Sequence, residues 1–477
     1  VYLTVAKCSW FITEYLCEVK IICAMILWIF APMKKVIPLL LIFLFSGVVT
    51  AQKKPLVTSV VYGPVLGYVT YNEAHIWAQF EGLNIPVLMY WDVNEPKNKR
   101  TAHSHKLSSE RSIYDFVCET QPGRTYEYRL NISLVPQKRD SLLRFTTPVL
   151  WRWRTDPPTV RFAMGSCHYT PDASADRPGK SYGDTATDIF NRIADKHPDF
   201  MMWLGDNIYL REPDWGSQTG IYNRYMLSRK DAGLQRLFTK CPNYAIWDDH
   251  DFGPNDANGS FAMKQLTLQS FKQYWPNPYL NNPDFPGTTS WFEYGDAQFF
   301  MLDNRFNRTV HVSDSASKTI LGRNQLDWFK QALASAPAGE WKFVCIGGQF
   351  LNTARVYENH STFAAERQEI LDWIKQKKIK NVVFLTGDRH HAELSMLKEA
   401  GMPVVYDFTS SPLTAGLSGT KPTEPNQNRV EGTFVNNERN FGMIEISGPR
   451  KERSIKYVLY DKNGKELWSK EFKAEKN

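Results

Sequence analysis

Phe200-Met201-Met202-Trp203-Leu204-Gly205-Asp206-Asn207-Ile208-Tyr209 is the stretch on which the reading of this chain turns. Five consecutive apolar residues closed by glycine describe a strand buried on both faces. An aspartate stands directly at its end, and a tyrosine follows three residues on. Three other segments repeat this pattern. Val160–Met164 runs into Gly165-Ser166-Cys167-His168, and Asn243–Trp247 into Asp248-Asp249-His250-Asp251. Val382–Leu385 runs, past Thr386, into Gly387-Asp388-Arg389-His390-His391. A chain that delivers Cys, Asp, Tyr and His to the ends of successive buried strands builds one polar site from distant segments. Those residue types together are metal ligands and acid–base groups.

Working outward, everything after Pro158 has an α/β texture, with apolar strand-like runs alternating with helical stretches. Helices are expected at Asp188–His197, Ala262–Tyr274, Gln325–Ala334 and Phe363–Lys377. Further strands are expected at Trp291–Phe292, Gln298–Leu302, Trp341–Ile346, Gly442–Ile446, Ser454–Tyr460 and Glu466–Phe472. The last two flank Asp461-Lys462-Asn463-Gly464, a strong hairpin signal. Before the linker Trp151–Pro158 the pattern is all-β. Thr58–Tyr62, Ala74–Phe80, Pro86–Trp91, Ser112–Val117, Tyr126–Ile132 and Leu142–Thr146 are short runs rich in Val, Ile, Tyr and Trp. Gly, Pro and Asn clusters punctuate them, and the set reads as a β-sandwich. Gln121-Pro122-Gly123-Arg124-Thr125-Tyr126-Glu127-Tyr128 resembles the turn into a late strand of fibronectin type III-like sandwiches.

The chain has 477 residues, 43% apolar and 22% charged, which suits two or three globular domains. A net charge of +7, mild and unclustered, argues against nucleic acid as the main partner. Met33-Lys34-Lys35, the apolar run Val36–Val49 and the small residues of Val49-Thr50-Ala51 have the layout of a secretory signal peptide over 33–51. The apolar run is short for a membrane span, so no stable span is expected after cleavage. Residues 1–32 precede a good start codon and read as an over-extended reading frame. The expected domains are therefore an N-terminal β-sandwich over 52–153 and a catalytic domain over 154–477. Four cysteines remain after residue 51: Cys118, Cys167, Cys241 and Cys345. They show neither zinc spacing nor a disulfide scaffold.

Each signature carries a chemical reading beside a structural one. The Asp206 carboxylate has two oxygens and can bridge two ions; alternatively it caps a helix. Tyr209 could reach the same ion, and a phenolate suits a hard trivalent metal. A lone buried cysteine is usually packing, but Cys167 stands in register with the other strand ends. His168 suits a supporting or substrate-facing role. Four consecutive polar groups from Asp248 to Asp251 cannot all face inward, so some must brace the loop. A histidine between carboxylates, His250, is expected to have a raised pKa and to suit a proton donor. Asp388 and His390 alternate and could face one ion, leaving Arg389 or His391 for substrate. Arg305, in Leu302-Asp303-Asn304-Arg305, either pairs with an oxyanion or braces loops. Gln349 ends another strand and could also face the site.

Taken in order, these motifs resemble the alkaline phosphatase D (PhoD-like) family of the calcineurin-like metallophosphoesterase superfamily, over residues 56 to 450. The resemblance rests on Gly-Ser-Cys, Gly-Asp-x-Ile-Tyr, Trp-Asp-Asp-His-Asp, Leu-Asp-x-Arg and Gly-Asp-x-His, each weak alone and specific together. It implies a four-layer αββα catalytic core preceded by the fibronectin III-like sandwich. It also implies that Cys167, Asp206 and Tyr209 ligate Fe(3+). Asp206 would bridge to Ca(2+) or another divalent ion held with Asp249 and Asp388, with His390 a ligand or substrate contact. His250 would be the acid near the leaving group, and Arg305 would help stabilise phosphoryl oxygens. Phe306-Asn307 departs from the family's aromatic-rich form, a difference that concerns the substrate pocket.

The expected function is that of an exported, metal-dependent phosphatase, periplasmic or extracellular. It would hydrolyse small phosphate esters by attack of a metal-bound hydroxide. One rival is a phosphodiesterase or phospholipase D-type hydrolase on the same site. Another is an exported binding protein with an inactive hydrolase domain.

Overall fold

The computed structural model describes residues 59–475 apart from 82–85, 109, 132–142, 177, 180–181, 184–187, 311–317, 338–339 and 357. The expected signal peptide and the segment before it lie outside the described residues. From Val57 to Asn477 the chain forms one compact unit.

Among the described residues before the linker, eight strands form two four-stranded antiparallel sheets. One holds Ser59–Val69, Glu73–Glu81, Ser112–Glu119 and His103–Lys106; the other holds Arg100–Thr101, Val87–Asp92, Thr125–Asn131 and Leu143–Thr146. Their inward residues share one core. Ile76, Ala78 and Phe116 come from the first sheet, and Leu88, Tyr128 and Phe145 from the second. The two strands between Arg100 and Lys106 carry no apolar alternation, because their side chains are exposed. Sequence reasoning passes over them for that reason.

The rest of the chain is built on two six-stranded mixed sheets. The first runs Asn243–Ile246, Phe200–Leu204, Val160–Gly165, Asn440–Ser447, Ser454–Asp461 and Glu466–Lys473. The second runs Ser290–Tyr294, Ala297–Met301, Trp341–Cys345, Val382–Thr386, Val405–Thr409 and Glu393–Leu397. The central strands deal their side chains to two cores, because successive residues point to opposite faces. Phe200, Met202 and Leu204 join Phe299, Phe343 and Leu385 in the core between the sheets. Met201 and Trp203 turn the other way, against the helices Asp188–Asp195, Ala232–Lys240 and Lys264–Tyr274. On the far side, Val344, Val382 and Phe384 meet the helices Arg323–Ser335 and Ala364–Lys377. Burial on both faces is why these strands are unbroken apolar runs.

Parallel register aligns the strand ends. Trp203 pairs with Gly165 and Leu204 with Ile246 in the first sheet. Met301 pairs with Cys345, Cys345 with Leu385, and Thr386 with Thr409 in the second. Ligand sites of open α/β sheets lie beyond the carboxyl ends of the strands. The segments starting at Ser166, Gly205, Trp247, Leu302, Ile346 and Gly387 therefore emerge along one edge. Among the described residues, no helix is long and apolar enough to cross a membrane. All four cysteines after residue 51 are buried and unbridged.

Candidate metal centre

The backbone at these strand ends is unusual. Cys167, Asp206, Asp388 and His390 all adopt positive φ, between 52 and 64°. Non-glycine residues seldom do so, and such positions concentrate at functional sites. Two glycines make the approach of the loops possible. Gly205 has φ +90°, and a Cβ there would lie 2.6 Å from the Asp248 Cβ. At Gly387 a Cβ would meet the Ser166 Oγ at 2.3 Å. Gly205 lets two loops of the first sheet approach each other, and Gly387 lets the loops of the two sheets touch, so a side chain at either position would push its neighbours apart.

Asp206 is the hub. Its Oδ2 accepts the Tyr209 hydroxyl at 3.2 Å and faces the Cys167 Sγ at 3.5 Å, while Oδ1 accepts the His250 N–H at 3.2 Å. The Tyr209 hydroxyl also meets His390 Nε2 at 3.1 Å. Ser411 Oγ donates to the Cys167 sulfur at 3.1 Å. Two groups have donor atoms close enough to share an ion: Cys167, Asp206 and His390, and Asp206, Asp249 and His250. Asp206 belongs to both. A third group, Asp248, Asp249 and Glu358, lies beside them. Asp388 is in none of the three; it is placed near enough for its charge to act on Asp206.

The electrostatics are those of crowded, buried acids. Burial raises the Asp206 carboxyl well above the usual range, and the charges of Asp249, Asp248, Asp251 and Asp388 raise it further. Burial likewise raises the Cys167 thiol, with Asp206 and Asp388 adding to it. His250 corrects an expectation: its pKa is lowered, because burial outweighs the pull of Asp249, and Arg211 and Arg305 lower it further. Its ring packs on Tyr209 with centroids 4.2 Å apart.

The remaining polar residues divide between site and scaffold. Asp251 is pushed up to about 8 by burial and receives N–H bonds from Asn207 and Asp248, so it braces the loop. His390 turns to the site. His391 instead meets the Arg389 carbonyl at 3.0 Å and lies 3.7 Å from Glu393. Arg389 donates to Gln349, Asn359 and Glu424, and Gln349 itself donates to Glu393 and Thr409. His168 packs against Phe190 at 4.9 Å, and burial pushes its pKa down to about 4. Of the two roles open to Arg305, the geometry is that of the brace. It is fully buried, with Asp248 2.5 Å from Nη2, Asp249 3.7 Å away, Glu358 in close contact and the Ala257 carbonyl accepting from Nη1. Glu358, Asn304 and Ser411 were missed by sequence reasoning. Glu358 follows no apolar strand, so nothing local marked it.

The donor set fits a bound cation. Thiol, phenol, imidazole and several carboxylates converge in one buried place, where like charges need a counter-ion. Asp249 Oδ1 and Asp248 Oδ2 are buried and accept no hydrogen bond.

Paired mixed sheets with a ligand-type cluster at their strand ends define a protein with a candidate metal centre. The chain belongs to the PhoD-like phosphatase family, whose profile matches residues 173–449. It is 24% identical over 372 residues to alkaline phosphatase D of Bacillus subtilis (strain 168), across 66% of this chain. It spans 60% of the length of that curated relative. Among solved structures it superposes on PhoD with a TM-score of 0.66 at 18% identity, over 85% of this chain and 91% of that one. A purple acid phosphatase from yellow lupin (Lupinus luteus) seeds gives 0.63 at 11% identity, over 86% and 74%. At those identities the likeness is one of fold.

Proposed function

We propose that this protein is an exported, metal-dependent phosphatase that hydrolyses small phosphate esters. The observation that carries this reading is Asp206, shared between two ligand-spaced groups at the strand ends. On this reading Cys167, Asp206, Tyr209 and His390 hold Fe(3+), while Asp206, Asp249 and Asp388 hold Ca(2+) or another divalent ion. Such ions supply Lewis acidity and lower the pKa of water. The chain's own residues do the positioning. Asp206 is oriented by the His250 N–H and the Tyr209 hydroxyl. The His250 imidazole lines the adjoining cleft, and on this reading it would donate a hydrogen bond to the departing alcohol oxygen. Arg305 fixes Asp248 and Glu358 behind the ligands.

We further read residues 154–477 as the αββα catalytic domain and 52–153 as a fibronectin III-like sandwich docked on it. Trp77 Nε1 donates to the Gln273 carbonyl at 2.7 Å, and Asn243 Nδ2 to the Leu66 carbonyl at 3.1 Å, which ties the two parts together. The test is Asp206→Asn. Hydrolysis of p-nitrophenyl phosphate should fall by at least ~10²-fold, while circular dichroism stays native and bound metal, measured by elemental analysis, declines. Native activity and full metal content in Asp206→Asn would refute the reading.

A further inference from the structure

Beside the metal centre lies a cleft of about 1140 Å³, far larger than a phosphate group needs. His250 forms part of its wall, so the cleft opens on the side where the alcohol would leave. Its walls are aromatic and apolar as well as charged: Tyr169, Tyr182, Trp215 and Leu417 all contribute. Tyr182 and Leu417 keep 44% and 42% exposure, so they present apolar surface to whatever occupies the cleft.

One side chain in this cleft has no function in the scheme above. Arg211 is half-buried, and its guanidinium rests over three phenol rings, 4.9 Å from Tyr169, 5.8 Å from Tyr182 and 5.7 Å from Tyr209. Cation–π contact of this kind holds a guanidinium in place without neutralising it. Among the described residues, Arg211 forms no ion pair; of the acids in and beside the cleft, Glu212 is exposed, and Asp214 and Asp176 are engaged elsewhere. Asp214 accepts the Arg211 backbone N–H at 2.9 Å and is paired with the buried Arg224 at 2.8 Å. Asp176 receives the Tyr169 hydroxyl and the Asp172 N–H. The cleft's other arginine, Arg439, commits its Nε to the carbonyls of Thr414 and Ala415.

The backbone is as firmly set as the rings. Leu210 N–H bonds to the His250 carbonyl at 3.1 Å, and the Asp214 N–H bonds to the Arg211 carbonyl at 2.8 Å. A fixed cation that carries its full charge into a partly apolar cleft is an anion site with its orientation set in advance. It is not the site of the scissile phosphate. Tyr209, itself one of the proposed ligands, lies between it and Asp206, its ring under Arg211 and its hydroxyl on Asp206.

We propose that Arg211 is a specificity residue that binds a second anionic group, phosphate or carboxylate, on the alcohol portion of the substrate. The protein then selects phosphate esters whose leaving group is itself anionic over simple esters. This rests on the phosphatase reading, and the test separates the two. The metal-loaded full chain is titrated calorimetrically with 3-phosphonopropionate and with propylphosphonate, which differ only by a carboxylate in place of a methyl group and cannot be hydrolysed. Wild type should bind the first about tenfold more tightly, the scale of one charged hydrogen bond. In Arg211→Gln the preference should collapse to within about twofold, while propylphosphonate still binds and so reports an intact site. Arg211→Lys, which keeps the charge, should retain part of the preference. Equal binding of both ligands by wild type overturns the assignment. So does a preference that survives Arg211→Gln, or an equal loss of both ligands in that variant. A wild type that binds neither phosphonate and hydrolyses no phosphate ester overturns the phosphatase reading itself.

Discussion

Replacing Arg305 by methionine tests the architecture behind the candidate metal centre. Arg305 is fully buried, with Asp248, Asp249 and Glu358 around its guanidinium and Arg308 beside Glu358 at 3.1 Å. With both arginines, these five groups carry one net negative charge; without Arg305 they carry two, in a place water does not reach. Methionine fills much of the volume but leaves the carboxylates uncompensated. Breaking a buried ion pair by removing one partner costs about 3–5 kcal/mol. A unit of roughly 400 residues unfolds with an entropy near 0.9 kcal/mol/K, so the midpoint should fall by about 3–6 °C. The assay is calorimetric or circular-dichroism melting with chelator present, so that bound metal does not offset the freed charge. Steady-state kinetics of the metal-loaded variant accompany it. On this reasoning Tm and activity fall together, and Arg305→Lys recovers little, because an ammonium cannot span Asp248 and Glu358 as the fork does. An unchanged Tm together with a KM raised tenfold or more would refute the brace and make Arg305 a substrate contact.

Two further predictions concern the scaffold. His75 is stacked on Tyr68 and bonded to Asp115 at 2.7 Å; burial lowers its pKa, but the bond and charge of Asp115, with Glu73, leave it raised. Its stabilisation is therefore complete below the unfolded value of about 6.5 and is lost as pH rises through the folded one. The stability gap between wild type and Asp115→Asn, read from melting curves across that window, should shrink as pH rises; a constant gap would contradict the pairing. Phe299 is fully buried, stacked on Phe292 at 4.6 Å and Phe343 at 4.9 Å, with Phe162 and Phe200 edge-on. Phe299→Ala should lower stability by about 3–5 kcal/mol in denaturant titration, and a loss under 1 kcal/mol would mean that the two sheets do not depend on this stack.

Legibility followed burial. The strand Phe200–Leu204 is read to the residue, because a strand buried on both faces has to be apolar throughout. The helix Gln218–Ser228 went unread: it buries Ile221, Tyr222 and Tyr225 but also Arg224, and carries a glycine in its first turn, so its pattern looks like loop. The strands Glu393–Leu397 and Val405–Thr409 escaped for a related reason. Glu393 and Asp407 are buried within them, satisfied by partners far away in sequence, so polar letters interrupt what the fold treats as core.

The candidate site divides in the same way. Sequence alone determined that Cys167, Asp206, Asp249, Asp388 and their neighbours stand at strand ends, since apolar runs, followed by a glycine in all but the Asp249 segment, are local signals. It could not say which member of each polar cluster turns inward. His390 rather than His391 meets Tyr209, and Arg305 is enclosed by Asp248 and Glu358. Arg211 lies on rings contributed by two separate segments of the chain. Those outcomes depend on left-handed backbone at Asp388 and His390, and on loops that meet only when the two sheets pack. A side chain's direction and its counter-charge are properties of the assembled fold, and only the tertiary structure decides them.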